Sequence, residues 1–414
     1  GQYQIQNAIA ACSKFYSNIK WDTLKNGQLR PTFNNAYNFL VQGAYDIWYN
    51  DFSDEVIIEG ELYSDYHDGF FLYNMSKIGL EVGPYNIRTA IIRYSRAHTK
   101  NPVKDWILGL KWDGVSRLEE WLIASGDAPD TKYTRLVSKL MIVAPVKRAF
   151  EPGCQYDYMP IIEGDQGIGK SKLVRALGGS FFTTVSLLDR DHNTIQQMRG
   201  SLIIEVPELS VFSKRDIESL KAFISQPIDR VRFAYAHNVG LYPRKSTFIG
   251  TINPEDVGYL NDSTGNRRFL PISVKQIDVD FITQIRDQLF AEAYLAYKSG
   301  FKTYIEDGEI AKEAVSQQEE REYHDPWSDV IVNYTNTKRL DHSCQMTSTD
   351  IYKDIIQGKL ENCNGQILRR IGAILRRLGC PKPKHTFLNG LQGKYWDLNQ
   401  IKIKIDKTED FITE

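Results

Sequence analysis

The chain has 414 residues, of which 42% are hydrophobic and 25% charged; this is ordinary globular usage and leaves room for two to three domains. Net charge is −1, from 51 basic and 52 acidic residues, so any affinity for nucleic acid must come from local concentration of Lys and Arg. Five cysteines (Cys12, Cys154, Cys344, Cys363, Cys380) are dispersed with no CxxC, and the histidines form no HExxH. These spacings exclude a disulfide framework and a structural zinc site. No apolar run approaches the roughly 18 residues that span a bilayer. The first twenty residues lack a basic-then-apolar leader, and a soluble intracellular protein without a membrane partner is expected.

In chain order, residues 1–105 read as an N-terminal mixed, largely helical domain. FLVQGAYDIWYN (39–50) is expected as a helix, and EVIIEGELYS (55–64) alternates loosely as a strand would. PYNIRTAIIRYSRAHTK (84–100) is an amphipathic helix opened by Pro84, with Ile87, Ile91, Ile92 and Tyr94 as its apolar residues. Arg88, Arg93, Arg96 and Lys100 decorate it, as a solvated face or, as the lesser alternative, a nucleic-acid face. Residues 106–150 read as a helical collar. One helix, following an Asp113-Gly114 turn, sets Leu118, Trp121 and Leu122 on one face. A second, more buried helix covers 134–150, with Pro145 as its kink or end.

From 151 to 324 short apolar runs alternate with helical stretches: YMPIIEG, KSKLVRALG, SLIIEV, DIESLKAFI and STFIGTIN. This alternation predicts an α/β fold with a mostly parallel sheet. GDQGIGKS (164–171) satisfies G-x-x-x-x-G-K-[ST], for which chance predicts roughly 0.01 matches in such a chain. It follows an apolar run and opens a helical pattern, the context of a phosphate-binding loop. Gly164, Gly167 and Gly169 let backbone amides turn inward, with Asp165, Gln166, Ile168 and Lys172 in the same cradle, and the helix N-terminus adds positive charge. Lys170 reaches β- and γ-phosphates and Ser171 ligates Mg²⁺, so ATP and Mg²⁺ are the implied cofactors.

Carboxylates for hydrolysis come from SLIIEVPEL (201–209). Glu205 ends the strand and is assigned to the metal; Glu208 lies past Pro207 and is assigned to the attacking water, with the reverse as the alternative. Asn253, ending STFIGTIN, is placed on the γ-phosphate or the water, with Thr251 assisting. In TGNRRF (264–269), Arg267 or Arg268 reads as a finger lent to a neighbouring subunit's γ-phosphate, against a solvated turn. VRFAYAHNVGLYP (231–243) reads as a hairpin with its tip near His237-Asn238. Arg230, Arg232, Tyr235 and His237, with Lys221 on the preceding helix, mix cations and rings as a strand-tracking surface does; an ordinary surface hairpin is the alternative.

Residues 325–414 read as a last small domain. STDIYKDII (348–356) is a capped helix and GQILRRIGAILRRLG (365–379) another, with Ile367, Ile371, Ile374, Leu375 and Leu378 as its buried stripe and a Gly379–Pro381 stop. A hairpin follows in 387–398, with Asn389-Gly390 and Gly393 as turn signals, which completes the order of a winged-helix domain. From Gln366 to Lys394 there are seven Lys or Arg and no acids. Arg369, Arg370, Arg376 and Arg377 are therefore expected on DNA, the alternative being a protein-docking or solvated module.

Taken together, 100–122, 151–173, IIEVPEL (203–209), ESLKAFISQPIDRVRFAY (218–235), FIGTIN (248–253) and STGNRRF (263–269) resemble the virulence-associated E family. These are P-loop proteins of phages and mobile islands, related to the superfamily 3 helicases within the AAA+ class. The resemblance covers about 100–330. It implies an AAA+-like ATPase core, a homo-oligomeric ring of hexamer type, a DNA strand in its channel, a primase partner and the cytoplasm of a bacterial host. The implied activity is an ATP-dependent DNA helicase or replication initiator. A non-translocating origin-binding or regulatory ATPase is the first rival, and a small-molecule P-loop kinase the second. The acids of IIEVPEL are separated by two residues where many AAA+ proteins have them adjacent, which leaves the roles of Glu205 and Glu208 interchangeable.

Overall fold

The computed structural model describes residues 20–186, 192–208, 214–232, 239–253, 259–260, 266–306, 308–321, 325–338, 345–388 and 391–401. The chain divides into two compact units, residues 1–254 with 267–318, and residues 255–266 with 319–414. Tyr235, the expected tip at His237-Asn238 and the expected turn at Asn389-Gly390 lie outside the described residues.

The first unit begins with α1 (Phe33–Gly43), β1 (Ile47–Asn50), β2 (Glu55–Ile58), β3 (Glu61–Leu62), α2 (Asp65–Ser76), α3 (Pro84–Ala97) and β4 (Thr99–Lys100). The strands form a sheet of order β3-β2-β1-β4. The helix expected over 39–50 is divided. It ends at Gly43, Ala44 turns the chain in the left-handed region (φ 49°), and Ile47-Trp48-Tyr49 joins the sheet, as β-branched and aromatic residues favour. The single strand expected over 55–64 is instead a hairpin, turned at Glu59-Gly60. On α3, Ile87, Ile91 and Tyr94 are buried, whereas Ile92 is half exposed. Arg88 pairs with Asp65 and Asp68, Arg96 lies 3.5 Å over the Tyr49 ring, and Lys100 pairs with Asp46 at 3.3 Å, so three of the four cations on this segment are engaged within the first unit.

Next come α4 (Pro102–Gly109), α5 (Trp121–Gly126) and α6 (Lys132–Phe150). Leu118 is buried but precedes the helix; its backbone N–H and that of Arg117 donate to Glu292, at 3.1 and 2.7 Å. Pro145 neither ends α6 nor interrupts its assignment, which continues to Phe150. From Leu140 to Val146 every residue of the helix is buried, because the core encloses this stretch on all sides.

Strands and helices then alternate: β5 (Met159–Glu163), α7 (Lys170–Gly178), β6 (Phe182–Thr184), α8 (His192–Met198), β7 (Ile203–Val206), α9 (Lys214–Ile224), β8 (Ile228–Val231), β9 (Gly240–Pro243), β10 (Thr247–Ile252), β11 (Phe269–Ser273), α10 (Val279–Lys298) and α11 (Gly308–Glu319). Five of these strands form an all-parallel sheet of order β11-β5-β10-β7-β6. β5, β7 and β10 are buried throughout, as strands covered on both faces must be. β11 carries Pro271, which is tolerated because β11 is an edge strand. β8 and β9 pair separately as an antiparallel hairpin.

The second unit contains α12 (Pro326–Lys338), β12 (Gln345–Met346), α13 (Ser348–Asp350), α14 (Gly365–Arg377), β13 (Lys384–Leu388) and β14 (Leu391–Asp397). The helix expected over 348–356 is one α-turn that continues as a π-helical turn, Ile351–Ile355. On α14, Ile371, Ile374 and Leu375 are buried, while Ile367 and Leu378 are only partly so. The three strands form a sheet of order β12-β14-β13. Among the described residues, no helix is long and apolar enough to cross a membrane.

The root of the β8–β9 hairpin is held by one buried ion pair. Arg244 donates through Nε and Nη2 to both Asp229 oxygens, at 2.9 and 2.7 Å, and stacks over Phe223 at 4.1 Å. Removing one partner strands a buried charge, which costs about 3–5 kcal/mol. Asp229→Ala should lower unfolding stability by that amount in urea titration; a loss within 0.5 kcal/mol would contradict this account.

Candidate functional site

The 164–171 loop leaves the carboxyl end of β5 and runs into α7. Gly164 is required by space, since a Cβ there would meet the Val274 carbonyl oxygen at 2.5 Å. Gly169 is required by conformation, with φ +102° as it caps α7. At the other end of α7, Arg286 of α10 donates to the carbonyls of Leu177 (2.8 Å) and Gly178 (3.2 Å). A cation on these carbonyls satisfies the helix C-terminus and fixes the helix whose opposite end faces the loop.

Lys170 is buried, and its Nζ donates to Gly164 O (2.6 Å), Asp165 O (2.8 Å) and Asn253 Oδ1 (2.9 Å). Burial lowers its pKa from the ordinary lysine value. Ser171 Oγ donates to Glu205 Oε1 at 2.5 Å. The same carboxylate accepts from Thr251 Oγ1 (2.9 Å) and Thr184 Oγ1 (3.2 Å). β10 lies between β5 and β7, with Ile252 beside Glu163 and Ile249 beside Glu205. This order sets the loop, Asn253 and Glu205 at one edge of the sheet, where their carboxyl ends converge.

A cavity of about 370 Å³ opens over that edge. Gln166, Gly167, Lys170, Ser171, Lys172, Glu208, Thr251 and Asn253 are among its lining residues. Glu208 is exposed and holds φ +52°, a conformation uncommon for any residue but glycine. Thus Lys170, Ser171, Glu205, Glu208 and Asn253, expected together from the sequence, are brought together. Thr184 was not foreseen: its strand is three residues long and carries no extended apolar run. Among the described residues no three His, Cys, Asp or Glu side chains gather as a metal cage. The Ser171 hydroxyl and the Glu205 carboxylate are hard oxygen donors at contact distance, a pair whose chemistry suits a divalent cation such as Mg²⁺.

Other expected residues lie elsewhere. Arg267 and Arg268 lead into β11, whose Phe269 pairs with Met159 at the amino end of β5. The length of β5, about 16 Å over five residues, separates them from the loop of the same chain. Arg268 Nε donates to Ser225 Oγ at 2.7 Å, and Arg267 is exposed; both line a second cavity of about 580 Å³ with Lys147, Tyr158 and Tyr304. Lys221 is buried, with its ammonium 5.8 Å from the centre of the Phe269 ring, and is not presented to a DNA strand. Arg232 is exposed. In the second unit Arg369, Arg376 and Arg377 are exposed. Arg370 is engaged instead, donating to both Asp325 oxygens at 2.7 and 2.8 Å and lying 3.9 Å over Trp327.

The described fold defines an α/β protein with its candidate site at the carboxyl edge of a parallel sheet, the position such sheets offer to ligands. The virulence-associated protein E-like domain family matches residues 107–323, more than half of the sequence, and the chain belongs to that family. Among solved structures, two structures of the apo A form of the NrS-1 C-terminal region align at 12% and 11% identity. Each alignment covers 87% of this chain and 98% of that one, with a TM-score of 0.49. No curated protein matches the chain.

Gly164→Ala should keep the fold but displace the loop, since the clash is with backbone. We expect a stability loss of about 1–3 kcal/mol in urea titration; an unchanged midpoint would show that the loop tolerates a side chain at this position.

Proposed function

We propose that the chain is an ATP-hydrolysing DNA motor of the helicase kind, serving replication of a phage or mobile element and acting as a ring-shaped homo-oligomer. The observation that carries this reading is the cavity in which Lys170, Ser171 beside Glu205, Glu208 and Asn253 meet at the carboxyl edge of the sheet.

In this reading the triphosphate lies along the 164–171 loop, with α7 directed at it. Phosphate oxygens take the place of the carbonyls and the Asn253 oxygen that hold Lys170 Nζ. Because Lys170 is already gathered at the site, little side-chain ordering is left to be done on binding. Ser171 and Glu205 would hold Mg²⁺, which would supply neutralisation of charge developing on the phosphates. Glu208 lines the cavity without burial, and its carboxylate orients the attacking water. The left-handed backbone at Glu208 is the kind of strain, worth about 1–3 kcal/mol, that persists where surrounding structure over-determines it. Asn253 fixes the γ-phosphate or the water from the opposite wall.

Arg267 and Arg268 stand at the far edge of the sheet, so any role on a γ-phosphate is exerted on a neighbouring copy. That separation is what makes an oligomer part of the proposal. The second unit, with its helix, helix and hairpin order and its concentration of arginine and lysine, reads as a winged-helix module on DNA. The β8–β9 hairpin, with exposed Arg230 and Arg232, tracks the single strand.

Lys170→Ala should abolish ATP turnover; retained turnover would refute the site. The double variant Arg267→Ala with Arg268→Ala should lose about 10³-fold in turnover, the lower range for an arginine finger, while still binding nucleotide. Mixing it with the Lys170→Ala chain should restore activity at mixed interfaces. No rescue, or full turnover by a chain that stays monomeric with ATP and DNA present, overturns the shared site.

A further inference from the structure

We infer that α14 and the exposed face of the β13–β14 hairpin bind the junction between double- and single-stranded DNA, with the Phe387 ring stacking on the terminal base pair. This rests on the reading that the second unit binds DNA, and adds which DNA and by which residue.

A Cβ on Gly372 would meet the Trp396 ring at 3.3 Å, so α14 lies close against β14. Trp396 is buried there, and its Nε1 donates to Ser348 Oγ at 2.9 Å, which fixes the ring. Arg369 and Arg376 stand three residues before and four after Gly372, on the same stripe of the helix. Both are exposed, one turn to either side of the Trp396 contact.

Along β14, Trp396, Lys394 and Gln392 share one face because side chains alternate. Lys394 pairs with His385 and Gln392 with Phe387 across the hairpin, so His385 and Phe387 share that face too. The face that packs on α14 at Trp396 therefore continues outward as Lys394 with His385, then Gln392 with Phe387. All four are exposed, Phe387 at 67%. An aromatic ring presented to water beside a lysine, in a stretch of seven Lys or Arg and no acid from Gln366 to Lys394, has the chemistry of a base-stacking platform between phosphate contacts.

The choice of a junction follows from relative costs. Wedging a ring into continuous duplex means unstacking a base step, and that cost is comparable to what one base–aromatic stack returns. The last pair of a duplex already exposes a face, so there the stack is a net gain. Phe387 thus favours ends and forks, while Arg369 and Arg376 contact phosphates of any duplex.

The test uses the full chain without nucleotide, on a forked duplex and on a relaxed, covalently closed circle. The wild-type chain should prefer the fork. Phe387→Ala should weaken fork binding roughly tenfold, one stack's worth, and leave the circle unchanged; Phe387→Trp should retain the preference. Arg369→Ala with Arg376→Ala should weaken both and lower the salt slope by about two. Equal wild-type binding to both DNAs, or a Phe387→Ala loss shared by both, overturns the junction while leaving DNA binding by this unit intact. Binding to neither DNA overturns that reading and the junction with it, whereas the ATP site stands or falls on turnover alone.

Discussion

The Glu205 carboxylate is the constraint on which the candidate site depends. It is only 2% exposed, and a buried carboxylate must be met by donors or its desolvation is uncompensated. The donors are hydroxyls from three different elements: Ser171 at the start of α7, Thr184 on β6 and Thr251 on β10. One side chain on β7 therefore ties the 164–171 loop to both neighbouring strands. The same bonds that satisfy the charge set the register in which Lys170 meets Asn253.

That arrangement is supported from both ends of α7. Gly164 admits the loop against the Val274 carbonyl, and Arg286 holds the last carbonyls of the helix. The opposite edge of the sheet is organised for a different purpose. There Arg268 is fixed by Ser225 and a larger cavity opens. A parallel sheet has two chemically distinct edges because all its strands point the same way. The separation of the loop from the paired arginines is a direct consequence of that polarity.

Several site residues were legible because their chemistry is local. Glycine spacing, a lysine and a hydroxyl in eight residues fix the loop, and an acid or amide just past an apolar run fixes Glu205, Glu208 and Asn253. Lys221 and Arg370 were read as DNA contacts because charge in sequence says nothing about depth or partner. Lys221 points inward from α9, and Arg370 is taken by Asp325, 45 residues away in the chain. The stretch 39–50 was misread for a related reason. Its apolar residues suit either period, and pairing of β1 with β2 and β4 decides the matter.

By itself, then, the sequence determined the alternation that makes a parallel sheet, the eight-residue loop and the acids and amide at strand ends, because these depend on spacing along the chain. Tertiary structure decided which hydroxyls surround Glu205, which cations are exposed or already paired, and that the arginine pair stands a strand's length from the loop of its own chain. Those outcomes depend on strand order and cross-strand contacts. Both arise from how distant segments bury their apolar faces against one another, which no local window of residues contains.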